Sequence, residues 1–128
     1  MLLDVARALR ARSESVLYAL KPAAVGRQIR EADARGADVT IVRNGTRGLI
    51  WLEPLVEVET DKGRVGYGPV KTSKVGELID AGMLEGKPHK KCIGVVDEYP
   101  WFKNQTRLTF ARCGITDPQS IDDYRAHG

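Results

Sequence analysis

Three kinds of side chain here do chemistry when their spacing allows it: adjacent carboxylates, histidines and cysteines. Carboxylates recur at Glu57/Glu59 and at Asp122/Asp123. Such a pair serves general acid–base work when its two environments push the pKa values apart. Glu57 and Glu59, however, fall on one side of an alternating stretch. The two aspartates open a helix, where acids answer the macrodipole. His89 and His127 lie in polar segments with no acid at a fixed spacing to orient the ring, and both read as surface side chains. Cys92 and Cys113 are too far apart for a C-x-x-C redox or zinc pair and read as buried or indifferent thiols. Phosphate loops fare no better. Gly45-Thr46-Arg47-Gly48 lacks the Lys-Ser/Thr of a P-loop, and no helix start directly follows Gly63, Gly66 and Gly68. The expectation is a chain with no catalytic residue, no metal-ligand set and no cofactor of its own.

The elements around these residues follow from periodicity. Leu2, Leu3, Val5, Ala6 and Leu9 form an apolar opening that fits a strand or a helix start. Residues 22–35 carry Ala23, Ala24, Val25, Ile29 and Ala32 on one side, with Pro22 suited to a first turn and Gly36 to a C-terminal cap. Residues 38–42 alternate with β-branched types and predict a strand, and residues 44–48 a turn-rich loop. Residues 54–60 place Leu55/Glu57/Glu59 and Val56/Val58 on opposite faces. The turn Asp61-Lys62-Gly63 and residues 64–70 complete a hairpin. Thr72 or Ser73 suits the cap of a helix over 74–83, with Val75, Leu78, Ile79 and Met83 on its apolar stripe and Glu77 near the capping-box position. Gly86-Lys87-Pro88 ends that unit. Beyond it lie an aromatic cluster at Tyr99-Pro100-Trp101-Phe102, a short extended run at 108–111 and a capped helix start at 116–124. This tail has too few apolar residues for a core and must pack on something.

Composition bounds the class. With 128 residues, 42% hydrophobic and 29% charged, the chain matches a soluble globular domain rather than a disordered or fibrous one. No apolar run approaches the roughly 20 residues of a membrane span. The N-terminus has no basic-then-apolar signal arrangement and no disulfide framework follows, so a cytoplasmic location and no membrane partner are expected. The net charge of +3 is small and the basic residues are scattered (Arg7, Arg10, Arg12; Arg27, Arg30, Arg35; Lys87, Lys90, Lys91), with no aromatic platform among them. No nucleic-acid partner is expected.

The element order over residues 1–88 resembles a small thioredoxin-like layer: an α/β fold with a mixed sheet and covering helices, followed by a docking tail. A more specific resemblance covers residues 36–128. Asn44-Gly45-Thr46-Arg47-Gly48-Leu49-Ile50-Trp51-Leu52-Glu53-Pro54, running on through Thr60, is similar to the N-terminal part of the beta (diaphorase) subunit of cytoplasmic NAD-dependent formate dehydrogenases that contain molybdenum or tungsten. Gly63-Arg64-Val65, Tyr67-Gly68-Pro69-Val70, residues 106–112 and residues 117–128 continue the match. Related to that family are the thioredoxin-like 2Fe–2S ferredoxins that partner the NADH-oxidising flavoprotein of complex I. Their loop reads C-x-G-x-C, then Pro four residues on. Aligning that Pro with Pro54 and the Gly with Gly48 puts the cysteine positions on Thr46 and Ile50. Iron–sulfur ligation needs thiolates, and this chain has none before Cys92.

The resemblance therefore implies a cluster-free ferredoxin-like domain over 1–88 and, over 89–128, the severed start of a flavin/NADH-binding domain. Pro100-Trp101-Phe102-Lys103-Asn104-Gln105 and Gly114-Ile115-Thr116-Asp117-Pro118 match the opening of that domain, and the glycine loop for FMN and NADH is expected past Gly128. The parent enzymes carry FMN, NAD, Fe–S clusters and a molybdenum or tungsten cofactor. Trp51 and Leu52 either fill the volume of a lost cluster or form a docking patch with Trp101 and Phe102. Expected partners are the flavin domain and other formate dehydrogenase subunits, with self-association through Trp101, Phe102 and Phe110. The other reading is a stand-alone protein-binding module without a redox centre. The charge pattern predicts no mobility shift of DNA or RNA at low ionic strength; a salt-sensitive shift would reinstate nucleic acid as a partner.

Overall fold

The computed structural model describes the backbone of residues 15–19 and the whole of residues 39–128. Five strands form one sheet in the order β2-β1-β3-β4-β5: β1 (Ser15–Ala19), β2 (Val39–Arg43), β3 (Val56–Thr60), β4 (Gly63–Tyr67) and β5 (Cys92–Val95). β1 and β2 run parallel, with Ser15 opposite Val39, and the other neighbours are antiparallel, so the sheet is mixed. The helix read at 22–35 and the apolar opening at 2–9 lie outside the described residues. The first described strand is instead Ser-Val-Leu-Tyr-Ala at 15–19, where the sequence reading placed no element.

The β3–β4 hairpin matches its sequence signal. Thr60 pairs with Gly63 across Asp61 and Lys62, and the Thr60 hydroxyl donates to the Gly63 carbonyl at 2.6 Å while accepting from the Lys62 amide at 3.3 Å. β3 is the central strand, and both of its faces are covered. Val56 and Val58, with Val65 and Tyr67, point towards α1 (Val75–Asp80) and join Val75, Leu78 and Met83 in the main core. Each such aliphatic side chain, fully buried, contributes roughly 1.5–3 kcal/mol. On the opposite face Leu49 and Leu55 are fully buried, packed by Leu52, Ile93, Tyr99 and Phe102.

Two expected elements change. The helix over 74–83 is a 3-10 turn at Thr72–Lys74, then α1, then a second 3-10 turn at Met83–Glu85. Neither Thr72 nor Ser73 caps it: Lys74 holds the N-cap position with no side-chain bond. Gly82 stops it, because its φ of +87° is left-handed and breaks the helical run before Met83. Glu77 turns to Lys74 at 2.5 Å, and that bonded ammonium holds its carboxyl below the usual range. The extended run at 108–111 is a series of turns with Leu108 and Phe110 exposed. No described strand pairs with it, and a strand without a ladder leaves its peptide groups unsatisfied.

β5 follows residue 88, where the sequence reading ended its first unit, yet pairs with β4, with Val65 opposite Val95. Past it come α2 (Pro100–Lys103) and α3 (Ile121–Ala126). The capped start at 116–124 resolves to Ser120, whose hydroxyl accepts from the Asp123 amide at 3.1 Å. Among the described residues no helix is long and apolar enough to cross a membrane.

Tyr67 ties the sheet to the segment after α1: it is wholly buried, and its hydroxyl donates to the Lys87 carbonyl at 2.7 Å. Burial, reinforced by Cys92, pushes its phenol far above the ordinary tyrosine value. The raised value means that the folded state holds this proton where the unfolded chain loses it. The contribution is full below about pH 10 and falls as pH rises past it. Spectrophotometric alkaline titration should show Tyr67 ionising only together with unfolding, and Tyr67→Phe should flatten the stability loss above that pH. A phenolate signal from Tyr67 in a folded chain would contradict this.

Candidate functional site

The loop between β2 and β3, residues 44–55, is built on a buried ion pair. Glu57 sits in the central strand on the face away from α1 and is 1% exposed, and Arg47 reaches it from the loop at 4%. The contact is bidentate: Arg47 Nε donates to Glu57 Oε1 and Nη2 to Oε2, both at 2.8 Å. The planar fork matches a carboxylate in this way, and a lysine would not. Arg64 approaches the same carboxylate at 3.8 Å and meets Glu59 at 3.2 Å. The Phe102 ring covers Arg47, its centroid 5.6 Å from Cζ, and Arg107 lies near the same ring at 5.4 Å. The pair at Glu57/Glu59 is thus no acid–base dyad; both carboxylates are bound to arginine. Alternation put Glu57 with its neighbours but hid its burial. In the register Glu57 faces Gly66, and the space above that glycine is taken by Ile93 and Val96.

Above the ion pair the loop is fixed by its own polar groups. Thr46 Oγ1 accepts from the Gly48 amide at 3.0 Å and donates to the Glu53 carboxylate. Residues Ile50–Leu52 form a 3-10 turn, with Leu52 N donating to Leu49 O at 2.9 Å. Leu49 is the side chain that turns inward. Ile50 is 74% exposed and Trp51 54%, so neither fills a buried volume, because the turn hands the interior to Leu49 and Leu55. Trp51 instead meets Trp101 edge-on at 5.1 Å, an arrangement that aromatic quadrupoles favour. Trp101 is itself 42% exposed, while Leu52 and Phe102 are half-buried behind the pair. Trp51, Leu52, Trp101 and Phe102 are therefore brought together, the tryptophans outside and the other two beneath.

The remaining candidates are dispersed. Cys113 Sγ donates to the Thr46 carbonyl at 3.1 Å, whereas Cys92 Sγ accepts from Gly94 N in β5. Both are half-buried free thiols. His89 Nδ1 accepts from the Lys91 amide and its other nitrogen is 4.0 Å from Glu77. His127 lies against the Asp123 carbonyl at 2.9 Å. Asp123 is drawn into the tail itself, accepting from the Asp117 amide at 2.6 Å.

An Fe–S cluster does not fit these residues. Thr46 spends its hydroxyl on Glu53 and Gly48, and Ile50 offers no donor. The two cysteines and two histidines of the sequence point to four different places, and among the described residues no three His, Cys, Asp or Glu side chains converge on a metal position.

No family model matches the chain, and no curated protein matches it. Solved structures do. One is the crystal structure of a cysteine-to-serine variant of the thioredoxin-like [2Fe-2S] ferredoxin from Aquifex aeolicus, with a TM-score of 0.50 and 19% identity over 62% of this chain and 98% of that one. The chain therefore has a thioredoxin-like α/β fold.

The buried pair makes the site testable. Arg47→Met leaves the Glu57 carboxylate short of its partner away from water and should cost about 3–5 kcal/mol in urea unfolding. Arg47→Met/Glu57→Leu, which removes both charges, should recover most of that loss. A single-variant cost under about 1 kcal/mol would place the pair among exposed ion pairs.

Proposed function

We propose that this chain is a cluster-free ferredoxin-fold module that docks on the flavin/NADH-binding part of an NAD-dependent formate dehydrogenase. It contributes scaffold and subunit contacts, while electrons pass from formate through flavin to NAD elsewhere in the complex. The observation that carries the reading is the exposed pair of Trp51, on the loop where the resemblance puts the cysteine positions at Thr46 and Ile50, and Trp101 of α2. Support comes from two directions. The sequence of residues 44–70 and 106–128 resembles the diaphorase subunit of those dehydrogenases, and the fold is that of a protein described as a [2Fe-2S] ferredoxin.

The physical case for docking rests on rigidity as well as exposure. Large aromatic side chains dominate interface energetics when they are held in place before binding. Here the 3-10 turn at Ile50–Leu52 and the Arg47–Glu57 pair hold one tryptophan, and α2 holds the other. The arrangement suits contact.

Two measurements on the purified chain test this together. Binding to the isolated FMN- and NADH-binding subunit of an NAD-dependent formate dehydrogenase should weaken at least about tenfold, or ~1.4 kcal/mol, in Trp51→Ala/Trp101→Ala. Anaerobic reconstitution with iron and sulfide should leave iron well below stoichiometric. Stoichiometric iron with a visible charge-transfer spectrum would overturn the cluster-free reading, and absence of binding would leave the stand-alone protein-binding module as the better account.

A further inference from the structure

Beyond Lys103 no side chain joins either apolar cluster. Residues 112–116 are nevertheless fixed to the sheet, and hydrogen bonds do it. Arg64 Nη1 donates to the Gly114 carbonyl at 2.8 Å and Nη2 to the Ile115 carbonyl at 3.1 Å. Asn44 Nδ2 donates to the Thr116 carbonyl at 2.6 Å, and its Oδ1 accepts from the Gly114 amide at 3.1 Å. Cys113 Sγ adds a bond to the Thr46 carbonyl. Four of these five contacts grip the main chain of the segment. What its side chains must supply is mainly the absence of one: Gly114 has a φ of +84° and lies against the aliphatic stem of Arg47, where a Cβ would collide.

The chain leading into the segment, residues 104–111, is exposed except at Arg107, with Leu108 and Phe110 largely in solvent. A segment with polar anchors, no share in the core and an exposed approach opens at lower free energy than the strands beneath it. The sheet, by contrast, is fixed by the buried valines of β3 and by Tyr67.

We propose that residues 112–116 are a releasable strap, bolted by Asn44 and Arg64, whose opening uncovers Arg47 and the Thr46 carbonyl at the base of the loop that carries Trp51. The device does not depend on what docks at Trp51: it follows from the bonds of Asn44 and Arg64. Its consequence is that access to the base of the loop is controlled from the tail, by any partner that takes the main-chain groups of the strap or the side chains that hold them.

Native-state hydrogen exchange of the full chain, read by mass spectrometry, tests it. The strap should exchange at least about a hundredfold faster than β3 and β4. Asn44→Ala removes two bolts without touching the ion pair. It should speed strap exchange about tenfold further and leave β3–β4 exchange within about twofold. Arg64→Lys, which keeps a charge beside Glu57 and Glu59 but loses the two-pronged grip, should act in the same direction. Equal protection of strap and sheet in the unmodified chain would overturn the proposal, as would an Asn44→Ala effect spread equally over both.

Discussion

A guanidinium withdrawn from water needs its donors satisfied, and a carboxylate withdrawn with it needs its lone pairs met; otherwise the burial costs more than the attraction returns. Arg47 and Glu57 meet each other through two 2.8 Å bonds, with Asp97 4.0 Å from the guanidinium and Arg64 3.8 Å from the carboxylate, and much of the structure is arranged around them. The pair fixes the β2–β3 loop to the central strand. Phe102 lies over the guanidinium and brings α2, with Trp101, to the same place. Gly114 lies against the stem and lets the tail approach. Loop, sheet, α2 and tail therefore share one anchor, although they are far apart in sequence.

That anchor also positions the exposed aromatic pair. Trp51 and Trp101 come from different elements, and their edge-on contact depends on the ion pair and Phe102 keeping loop and helix in register. The interior of the loop is supplied by Leu49 and Leu55, which frees Ile50 and Trp51 to face outward. The same economy shows at Thr46, whose hydroxyl closes the loop on Glu53 and Gly48.

The parts legible in the sequence were those governed by local periodicity. The alternation Val56/Val58 and the Asp61-Lys62-Gly63 turn specified the hairpin, and Val75 and Leu78 reached the core as the helical stripe required, whereas Met83 reaches it from the 3-10 turn past Gly82. What escaped depended on distant partners. That Glu57 shares one side of its strand with Glu59 was legible, but its burial was not, because alternation does not reveal that the central strand is covered on both faces. Trp51 had two readings, and the choice turned on which residue of a 3-10 turn faces inward. Thr72 and Ser73 have cap chemistry, yet the backbone puts the N-cap of α1 at Lys74, one residue past Ser73. The 108–111 run has strand-forming residues, yet none of the described strands pairs with it. The tail's dependence on another surface was legible from its few apolar residues; that Asn44 and Arg64 supply that surface was not, since those contacts span 50 residues or more.

The most direct measurement of the central claim is the Nε–H resonance of Arg47 by nitrogen-15 NMR at neutral pH. A guanidinium locked onto Glu57 beneath Phe102 should give a sharp signal that exchanges slowly with water and carries a scalar coupling across the hydrogen bond to the carboxylate. An Arg47 Nε–H that exchanges as fast as those of exposed arginines, with no such coupling, would contradict the account, because the loop, the tryptophan pair and the strap would then lack their common anchor.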